Sequence, residues 1–232
     1  MATRKVKKRM VKARNLSKTV RSEGGDLTIL HPLDITVERG RTVAVVGPSG
    51  SGKSTLLALL AGLDTPSSGE VWLDGQPLFE HDEEGRAALR RSHVGFVFQN
   101  FQLIPSLTAL ENVVLPLELI GSPNPQERAK ILLDQVGLAH RTHHFPDRLS
   151  GGEQQRVAIA RAFAHQPSIL FADEPTGNLD TESGRRIVEL MWQLNREHGT
   201  TLVLVTHDPA LADRADQVLR LEEGRWVGPT AG

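Results

Sequence analysis

The chain has 232 residues, with 27 Lys and Arg against 28 Asp and Glu and a formal net charge of -1. This length suits one large α/β domain with a helical insertion but not two independent enzymes, and the balanced charge gives no general attraction to nucleic acid. Cysteine is absent, which excludes disulfides and thiolate metal sites. The apolar runs are far shorter than the ~20 residues that cross a bilayer. The basic N-terminus is followed by alternating charge, so we expect no secretory signal.

The basic run RKVKKR at residues 4–9 predicts a flexible tail over residues 1–9, with the main domain over 10–232. Charge runs of this kind are usually solvated. Two alternatives stay open for the tail. One is weak attraction to anionic lipid, at roughly 1 kcal/mol for each basic residue near the surface. The other is contact with nucleic acid, which is less favoured because no aromatic residue is interleaved.

A predicted strand leads directly into a phosphate-binding motif. Residues 43–46 form a short apolar, β-branched run, typical of a buried strand. The following residues fit G-x-x-x-x-G-K-[ST] and continue into a predicted helix at 54–61, ended by Gly62. Glycines let backbone N–H groups surround phosphate oxygens, and the helix N-terminus adds its dipole. Lys53 adds a charge toward the outer phosphates, and the Ser54 hydroxyl can ligate Mg²⁺. The predicted phosphate-binding residues are Gly47, Pro48, Ser49, Gly50, Ser51, Gly52, Lys53, Ser54 and Thr55.

The middle of the chain changes from strands to helices. A predicted strand at 70–73 is followed by a hairpin turn at Asp74-Gly75, and a predicted strand at 94–98 ends at Gln99. Prolines 105, 116, 123 and 125 then punctuate predicted helices at 109–115 and 126–136. Ser150 is a predicted N-cap for a helix that reaches about His165. We therefore predict a helical subdomain inserted at about 100–165.

A second apolar run at 168–172 predicts a buried strand that ends in Asp173 and Glu174. Two adjacent carboxylates at the end of such a strand are costly to desolvate unless a cation or hydrogen bonds compensate them. An acidic surface turn is the plain alternative, but the position after a strand and downstream of a phosphate loop disfavours it. We predict that Asp173 holds Mg²⁺, often through water. Glu174 then accepts a proton from the attacking water or orients it.

The sequence Leu149-Ser150-Gly151-Gly152-Glu153 resembles the signature of the ATP-binding-cassette (ABC) ATPases. In that family the signature lies opposite the phosphates of a nucleotide held by a second subunit. The resemblance therefore implies a homodimer with two ATP molecules between the chains, in which Ser150, Gly151 and Gly152 contact the partner's nucleotide. It also implies an α/β fold, a P-loop NTPase core with a RecA-like domain, an antiparallel β subdomain and an inserted α-helical subdomain.

Other residues match the same family in chain order. Gln99 resembles the Q-loop glutamine that senses Mg²⁺ and the γ-phosphate, and Asp180 belongs to a sequence that resembles the D-loop, which crosses the dimer interface. His207 follows a predicted strand at 201–206, as the switch histidine does, although a lone histidine is more often structural. Gln102 and Glu153 carry no independent information. The predicted catalytic residues are Lys53, Gln99, Glu174 and His207, and the predicted Mg²⁺ ligands are Ser54, Gln99 and Asp173.

Longer matches resemble one branch of the family. Residues 62–70, 105–113 and 172–180 are similar to the lipoprotein-release and macrolide-export (LolD/MacB-type) group, and residues 98–105 and 195–201 to its YbbA-like branch. This resemblance implies a membrane permease with a large extracytoplasmic domain as partner, driven by force transmission. It also implies a cytoplasmic chain on the inner face of the membrane, an envelope or lipophilic substrate, and no nucleic acid.

One position departs from the family pattern. Many cassettes have Lys-Thr-Tyr in the first strand region, where the aromatic ring stacks on adenine, whereas this chain has Lys18-Thr19-Val20 and no tyrosine. Val20 offers the base an apolar wall without a π-face. We therefore expect modest selection for adenine, with phosphate binding unaffected.

Two rival classes can be compared with this prediction. A soluble cassette of DNA repair or translation needs a long coiled coil or a tandem second cassette, for which the chain has no room. A cassette that binds without turnover lacks Glu174 or Lys53, and both are present.

Overall fold

The computed structural model describes residues 8–22 and 25–228. Within these ranges the strands are β1 (Arg9–Ser22), β2 (Gly25–Glu38), β3 (Thr42–Val46), β4 (Ser68–Leu73), β5 (Gln76–Pro77), β6 (Val94–Val97), β7 (Ile169–Asp173), β8 (Thr201–Val205), β9 (Gln217–Glu222) and β10 (Arg225–Val227). The α-helices are α1 (Lys53–Leu60), α2 (Glu83–His93), α3 (Ala109–Leu119), α4 (Pro125–Gln135), α5 (Gly151–Phe163), α6 (Thr181–His198) and α7 (Pro209–Ala212). They divide into two compact units: unit one contains the described residues up to Ala87 and from Thr201 onward, and unit two contains Ala88–Thr200.

Unit one contains an antiparallel sheet in the order β2-β1-β4-β5. Strand β2 alternates between buried and more exposed residues along its second half, which is the pattern of a strand with one face on a core. The turn between β4 and β5 has positive φ at both Asp74 and Gly75, 49° and 83°, as a tight primed hairpin turn requires. The predicted hairpin is confirmed.

The predicted N-terminal tail is too long by two residues. Lys8 lies with its ammonium 3.1 Å from the Asp74 carboxylate, and Arg39 lies 2.7 Å from the same group. Burial would raise the pKa of Asp74, but the hydrogen bonds from Arg39 and Lys8 outweigh it, and the pKa lies below its ordinary value. Arg9 already pairs with Glu38 in the β1–β2 ladder. The charge run gave no indication of these partners because they lie far away in sequence; the rest of the predicted tail lies outside the described residues.

The second group of strands in unit one surrounds β3. Strands β8 and β9 flank β3 and both run parallel to it, and β10 pairs antiparallel with β9. All five residues of β8 are buried, as expected for a central parallel strand covered on both faces. The carboxyl ends of β3 and β8 therefore lie at one edge, where the phosphate loop and the segment around His207 begin.

Unit two contains strands β6 and β7, which are parallel neighbours, and the helices α3 to α6. The largest fully buried side chains there include Phe163 of α5 and Phe171 of β7. Helix α3 runs to Leu119, so the predicted end at 115 is wrong. Pro116 lies inside the helix, where it removes one backbone donor. The buried apolar face of Val113, Val114 and Leu117 offsets that loss by packing.

The other predicted strands and helices agree with the structure to within about two residues, the usual uncertainty of element ends. The helix that begins after Ser150 ends at Phe163, slightly before the predicted position. In the part of the chain that the structure describes, none of the helices has the length and apolar character needed to span a membrane.

Candidate nucleotide-binding and hydrolysis site

The phosphate loop in unit one has two positions that only glycine can occupy. A Cβ on Gly47 would lie 1.9 Å from the carbonyl oxygen of Leu221. Gly52 has φ +97, and a Cβ there would lie 2.7 Å from a Leu30 methyl carbon and 2.9 Å from the Ile29 carbonyl oxygen. The loop backbone therefore packs closely against the Leu221 carbonyl group of β9 and against Ile29 and Leu30 of β2.

Lys53 fixes the shape of this loop from inside. Its ammonium donates hydrogen bonds to the carbonyl oxygens of Gly47 and Pro48, both at 2.9 Å, and the residue is only 8% exposed. These two bonds use two of the three donors of the ammonium. A positive charge is thus held against the backbone of the loop, which is suitable for attracting a phosphate.

The start of helix α1 is suited to an anion. Its N-cap, Gly52, supplies no side-chain hydrogen bond, and the first turn contains no acidic residue. The Ser51 hydroxyl is buried and has no hydrogen-bond partner among the described residues. The N-terminal amides of α1, its dipole and the Lys53 charge all favour negative charge at this place. The loop fits the phosphates of a nucleotide.

A cavity of about 520 Å³ adjoins this loop within unit one. On one side it is lined by the loop and the first turn of α1, and on the other by strand β2 and the β9–β10 turn. Its lining residues are Leu27, Thr28, Ile29, His31, Gly50, Gly52, Lys53, Ser54, Thr55 and Glu223.

An apolar wall was predicted at Val20, but in this cavity the wall is formed by Leu27, the cross-strand partner of Val20. Val20 lies opposite Leu27 in the β1–β2 ladder, and cross-strand partners project from the same face of a sheet. Leu27 is 56% exposed and lines the cavity, whereas Val20 is not among its lining residues. Sequence reasoning missed Leu27; the strand register, which depends on the hairpin, was the information needed to find it.

His207 lies beyond the carboxyl end of β8, in unit one. The residue before it, Thr206, is buried; its amide donates to the Val45 carbonyl oxygen at 3.2 Å, and its hydroxyl accepts from the Asp208 amide at 3.0 Å. Asp208 in turn caps α7. His207 itself is exposed. The exposed imidazole is thus carried on a backbone that is fixed on both sides.

The acidic pair lies at the end of β7 in unit two. Asp173 is the last residue of the strand, and Glu174 follows with φ 46, a left-handed conformation that is unusual for a residue with a side chain. The next carbonyl oxygen, on Pro175, accepts a 2.7 Å hydrogen bond from the buried Gln155 side chain of α5. Strained backbone of this kind is often found at functional sites, where surrounding contacts hold it.

Gln99 follows strand β6, so it lies at the same edge of this strand pair as Asp173. Its side-chain amide donates to the Asn178 side-chain oxygen at 3.3 Å, and Asn178 donates back to the Gln99 carbonyl oxygen at 3.1 Å and to Asn100 at 2.7 Å.

Asp180 accepts hydrogen bonds from the Ser183 and Glu182 amides as the cap of α6. Hydrogen bonds from Ser183 lead the interactions that hold the Asp180 pKa below its ordinary value.

The predicted cap of the signature helix is confirmed. The Ser150 hydroxyl accepts from the Glu153 amide at 3.3 Å, and the Glu153 carboxylate accepts from the Ser150 amide at 2.9 Å, a complete capping box. The Ser150 amide bond is the first cause of a lowered pKa for Glu153, and Arg141, 3.1 Å away, lowers it further. Glu153 therefore has a defined structural role, which the S-x-x-E spacing could have indicated.

The predicted site residues are thus distributed over two units. Unit one brings together the phosphate loop and, at the same strand edge, His207. Unit two brings together Gln99, the acidic pair after β7, and the start of the signature helix. The two motifs that carried the family resemblance stand at the starts of helices α1 and α5, and the loop before α1 has the form of the P-loop of an ATPase.

Comparison with known proteins identifies the family. A family model described as ABC transporter matches residues 30–177, and the chain belongs to this family. It is 59% identical over 218 residues to YbbA of Escherichia coli K12, described as an uncharacterized ABC transporter ATP-binding protein, with 93% of this chain and 96% of that protein covered. It is 49% identical over 223 residues to the lipoprotein-releasing system ATP-binding protein LolD of Pseudomonas syringae, with coverages of 95% and 98%.

Solved structures agree with this family. The cassette MJ0796, in a dimeric post-hydrolysis state bound to ADP and Pi, has a TM-score of 0.86 and 42% identity, covering 93% of this chain and 95% of that chain. CbiO1 from Clostridium perfringens, part of the ABC transporter complex CbiONQ, has a TM-score of 0.81 and 30% identity, with coverages of 95% and 87%. The chain has the fold of an ABC ATPase cassette. It is an ABC transporter ATP-binding subunit, and its cofactors are ATP and Mg²⁺.

Proposed function

We propose that this chain hydrolyses ATP with the residues that the sequence predicts, and that it drives a membrane permease of the force-transmitting type. The observation that carries the chemical part is the phosphate loop, in which a buried Lys53 and an uncapped α1 N-terminus face a cavity of about 520 Å³. The transporter part is supported by the 49% identity to LolD along almost the whole chain.

In this proposal the phosphate loop binds the phosphates through its amides and Lys53. Ser54, Asp173 and Gln99 would hold the Mg²⁺ ion, which, when bound, neutralises charge on the phosphate oxygens. Each of these side chains has an oxygen atom to offer, the ligand that Mg²⁺ prefers. Glu174 orients the attacking water and takes its proton. His207, which follows β8, acts as the switch histidine that the family resemblance implies. The hydrogen bonds that hold the backbone next to Glu174 and next to His207 suit this task, because catalytic groups work best when held in place.

Two chains are needed to complete each site in this proposal. Ser150, Gly151 and Gly152 of one chain contact the nucleotide held by Lys53 of its partner, and Asp180 lies at the interface between the chains. A two-fold symmetric dimer makes the two sites equivalent. The dimeric MJ0796 structure, 42% identical to this chain, supports this arrangement.

We further propose that the partner permease has a large extracytoplasmic domain and acts on a lipophilic or envelope substrate. The chain would then lie on the cytoplasmic face of the membrane, attached through the permease. The support is the similarity to LolD, whose name assigns it to a lipoprotein-releasing system. Reconstitution with a permease that has a large extracytoplasmic domain tests this part, since ATP hydrolysis by the chain should then depend on that permease.

Replacing Glu174 by Gln is the direct test of the proposed chemistry. The variant keeps the shape of the side chain but not its basicity, so hydrolysis should fall by ~10²–10⁴-fold, as for loss of a general base, while Mg-ATP still binds. Steady-state ATPase assays together with equilibrium nucleotide binding measure both quantities. Near-normal turnover in the variant would show that another group activates the water.

A further inference from the structure

Arg161 in unit two donates two hydrogen bonds to the turn that follows Gln99. The guanidinium of Arg161, on helix α5, donates one hydrogen bond to the Gln102 carbonyl oxygen at 2.6 Å and another to the Phe101 carbonyl oxygen at 3.0 Å. The planar fork of arginine suits two neighbouring acceptors, since its two terminal nitrogens point the same way. Bonds from a charged donor are shorter and stronger than neutral ones.

The two residues that Arg161 holds have an unfavourable backbone. Phe101 and Gln102 have φ of 57° and 49°, so two consecutive residues with side chains adopt the left-handed conformation. Such a conformation is costly for any residue with a Cβ and persists only where surrounding contacts impose it. Two bonds from one half-buried side chain supply such contacts. Burial also lowers the pKa of the Arg161 guanidinium, although arginine stays charged at neutral pH.

The shape of this turn fixes two parts of the proposed site. The Phe101 ring packs beside the signature, with its Cζ atom 3.6 Å from the place where a Cβ on Gly151 would lie. At the start of the turn, Gln99 and Asn178 exchange the side-chain and backbone hydrogen bonds described above. The signature helix, through Arg161, therefore holds the same segment that carries Gln99.

We propose that Arg161 is a positioning residue: by holding Phe101 and Gln102 in the left-handed conformation, it fixes Gln99 relative to the first turn of the signature helix. This role rests on the proposed function of Gln99 and the signature. Arg161 itself touches no reacting atom in this account. Motion of the turn and motion of the signature helix are then coupled through one side chain.

The test is a double-mutant cycle in the full-length chain. Arg161→Met keeps the apolar stem and removes both bonds, so kcat for ATP hydrolysis should fall about tenfold, with KM changed by less than about twofold. Amide hydrogen exchange of residues 99–104 should become faster. Glycine adopts positive φ at little cost. Adding Gln102→Gly to Arg161→Met should therefore restore most of the kcat, and Gln102→Gly alone is measured to close the cycle.

Matched controls separate this role from a general structural one. Arg196→Met removes an exposed arginine from the same unit and should leave kcat unchanged. Gln166→Gly relieves another left-handed glutamine, φ 53, and should not rescue Arg161→Met. If Arg161→Met does not fold, Arg161→Lys is used instead, because it keeps the charge but lacks the two-pronged fork, and the same rescue is expected.

Three results would overturn the proposal: unchanged kcat in the Arg161 variants, unchanged exchange at residues 99–104, or equal rescue by Gln102→Gly and Gln166→Gly. Failure of the proposed function would give a different set of results. In that case the wild-type chain shows no hydrolysis that depends on Glu174, while the exchange experiment still reports on Arg161.

Discussion

The phosphate loop in unit one and the cluster around the signature helix in unit two are built in opposite ways. The loop is one continuous segment in which Lys53 bonds the backbone and glycines allow close approach to strands β2 and β9. The cluster joins three segments that are distant in sequence, and the side chains of Arg161 and Gln155 on helix α5 bind the backbone of the other two. A site of the first kind can be recognised from one local sequence motif, whereas a site of the second kind becomes visible only in the packing of the whole unit.

The largest expected effect is a loss of ATP turnover, and it separates two helix caps of the same type. Ser150 and Thr108 each begin a helix with a complete capping box, and loss of such a cap costs about 1 kcal/mol of stability. Ser150→Phe should in addition lower turnover by about 10³-fold, because the proposed contact with the partner's nucleotide is blocked. Thr108→Phe should lose similar stability and keep its turnover. Thermal unfolding and ATPase assays check both; equal turnover in the two variants would mean that Ser150 is only a cap.

A smaller effect is expected in the phosphate loop. Gly52→Ala adds a Cβ that meets the Ile29 carbonyl oxygen at 2.9 Å in a backbone with φ +97. Strain and overpacking together should weaken ATP binding by about a hundredfold, or ~2.7 kcal/mol.

The control for that substitution is Gly40→Ala, in the same unit. Gly40 also has positive φ, +73, but a Cβ there has nothing within 4 Å. It should lower stability without changing nucleotide affinity. Isothermal titration of both variants gives the answer, and equal affinities for the two would show that the close packing of the loop is not required.

The smallest expected effect is on the binding of the adenine base of ATP. Val20→Tyr should tighten ATP binding by about tenfold, since stacking of a base on an aromatic ring contributes roughly 1–3 kcal/mol. In the wild-type chain, preference for ATP over GTP should stay below about a hundredfold. Arg21→Tyr serves as control, because the adjacent strand residue points to the opposite face. Competition binding with both nucleotides measures this, and a stronger wild-type preference would identify another adenine contact.

What could be predicted from the sequence follows the same division. The phosphate loop, its flanking strand and helix, and the cap at Ser150 were predictable because each depends on residues close together in the chain. Helix α3 was predicted to end too early, because the packing that keeps Pro116 inside it lies elsewhere in the structure. Arg161 was missed for a similar reason, since its acceptors are backbone carbonyl groups about 60 residues away and have no sequence pattern.

The composite dimer is the central claim, and mixing two inactive variants tests it most directly. A chain with Lys53→Ala keeps its signature, and a chain with Ser150→Phe keeps its phosphate loop, so each homodimer lacks both complete sites. A mixed dimer contains one complete site, made of the loop of the Ser150→Phe chain and the signature of the Lys53→Ala chain. We therefore predict that mixing restores ATP hydrolysis that neither variant shows alone. A mixture as inactive as its two components would contradict the account.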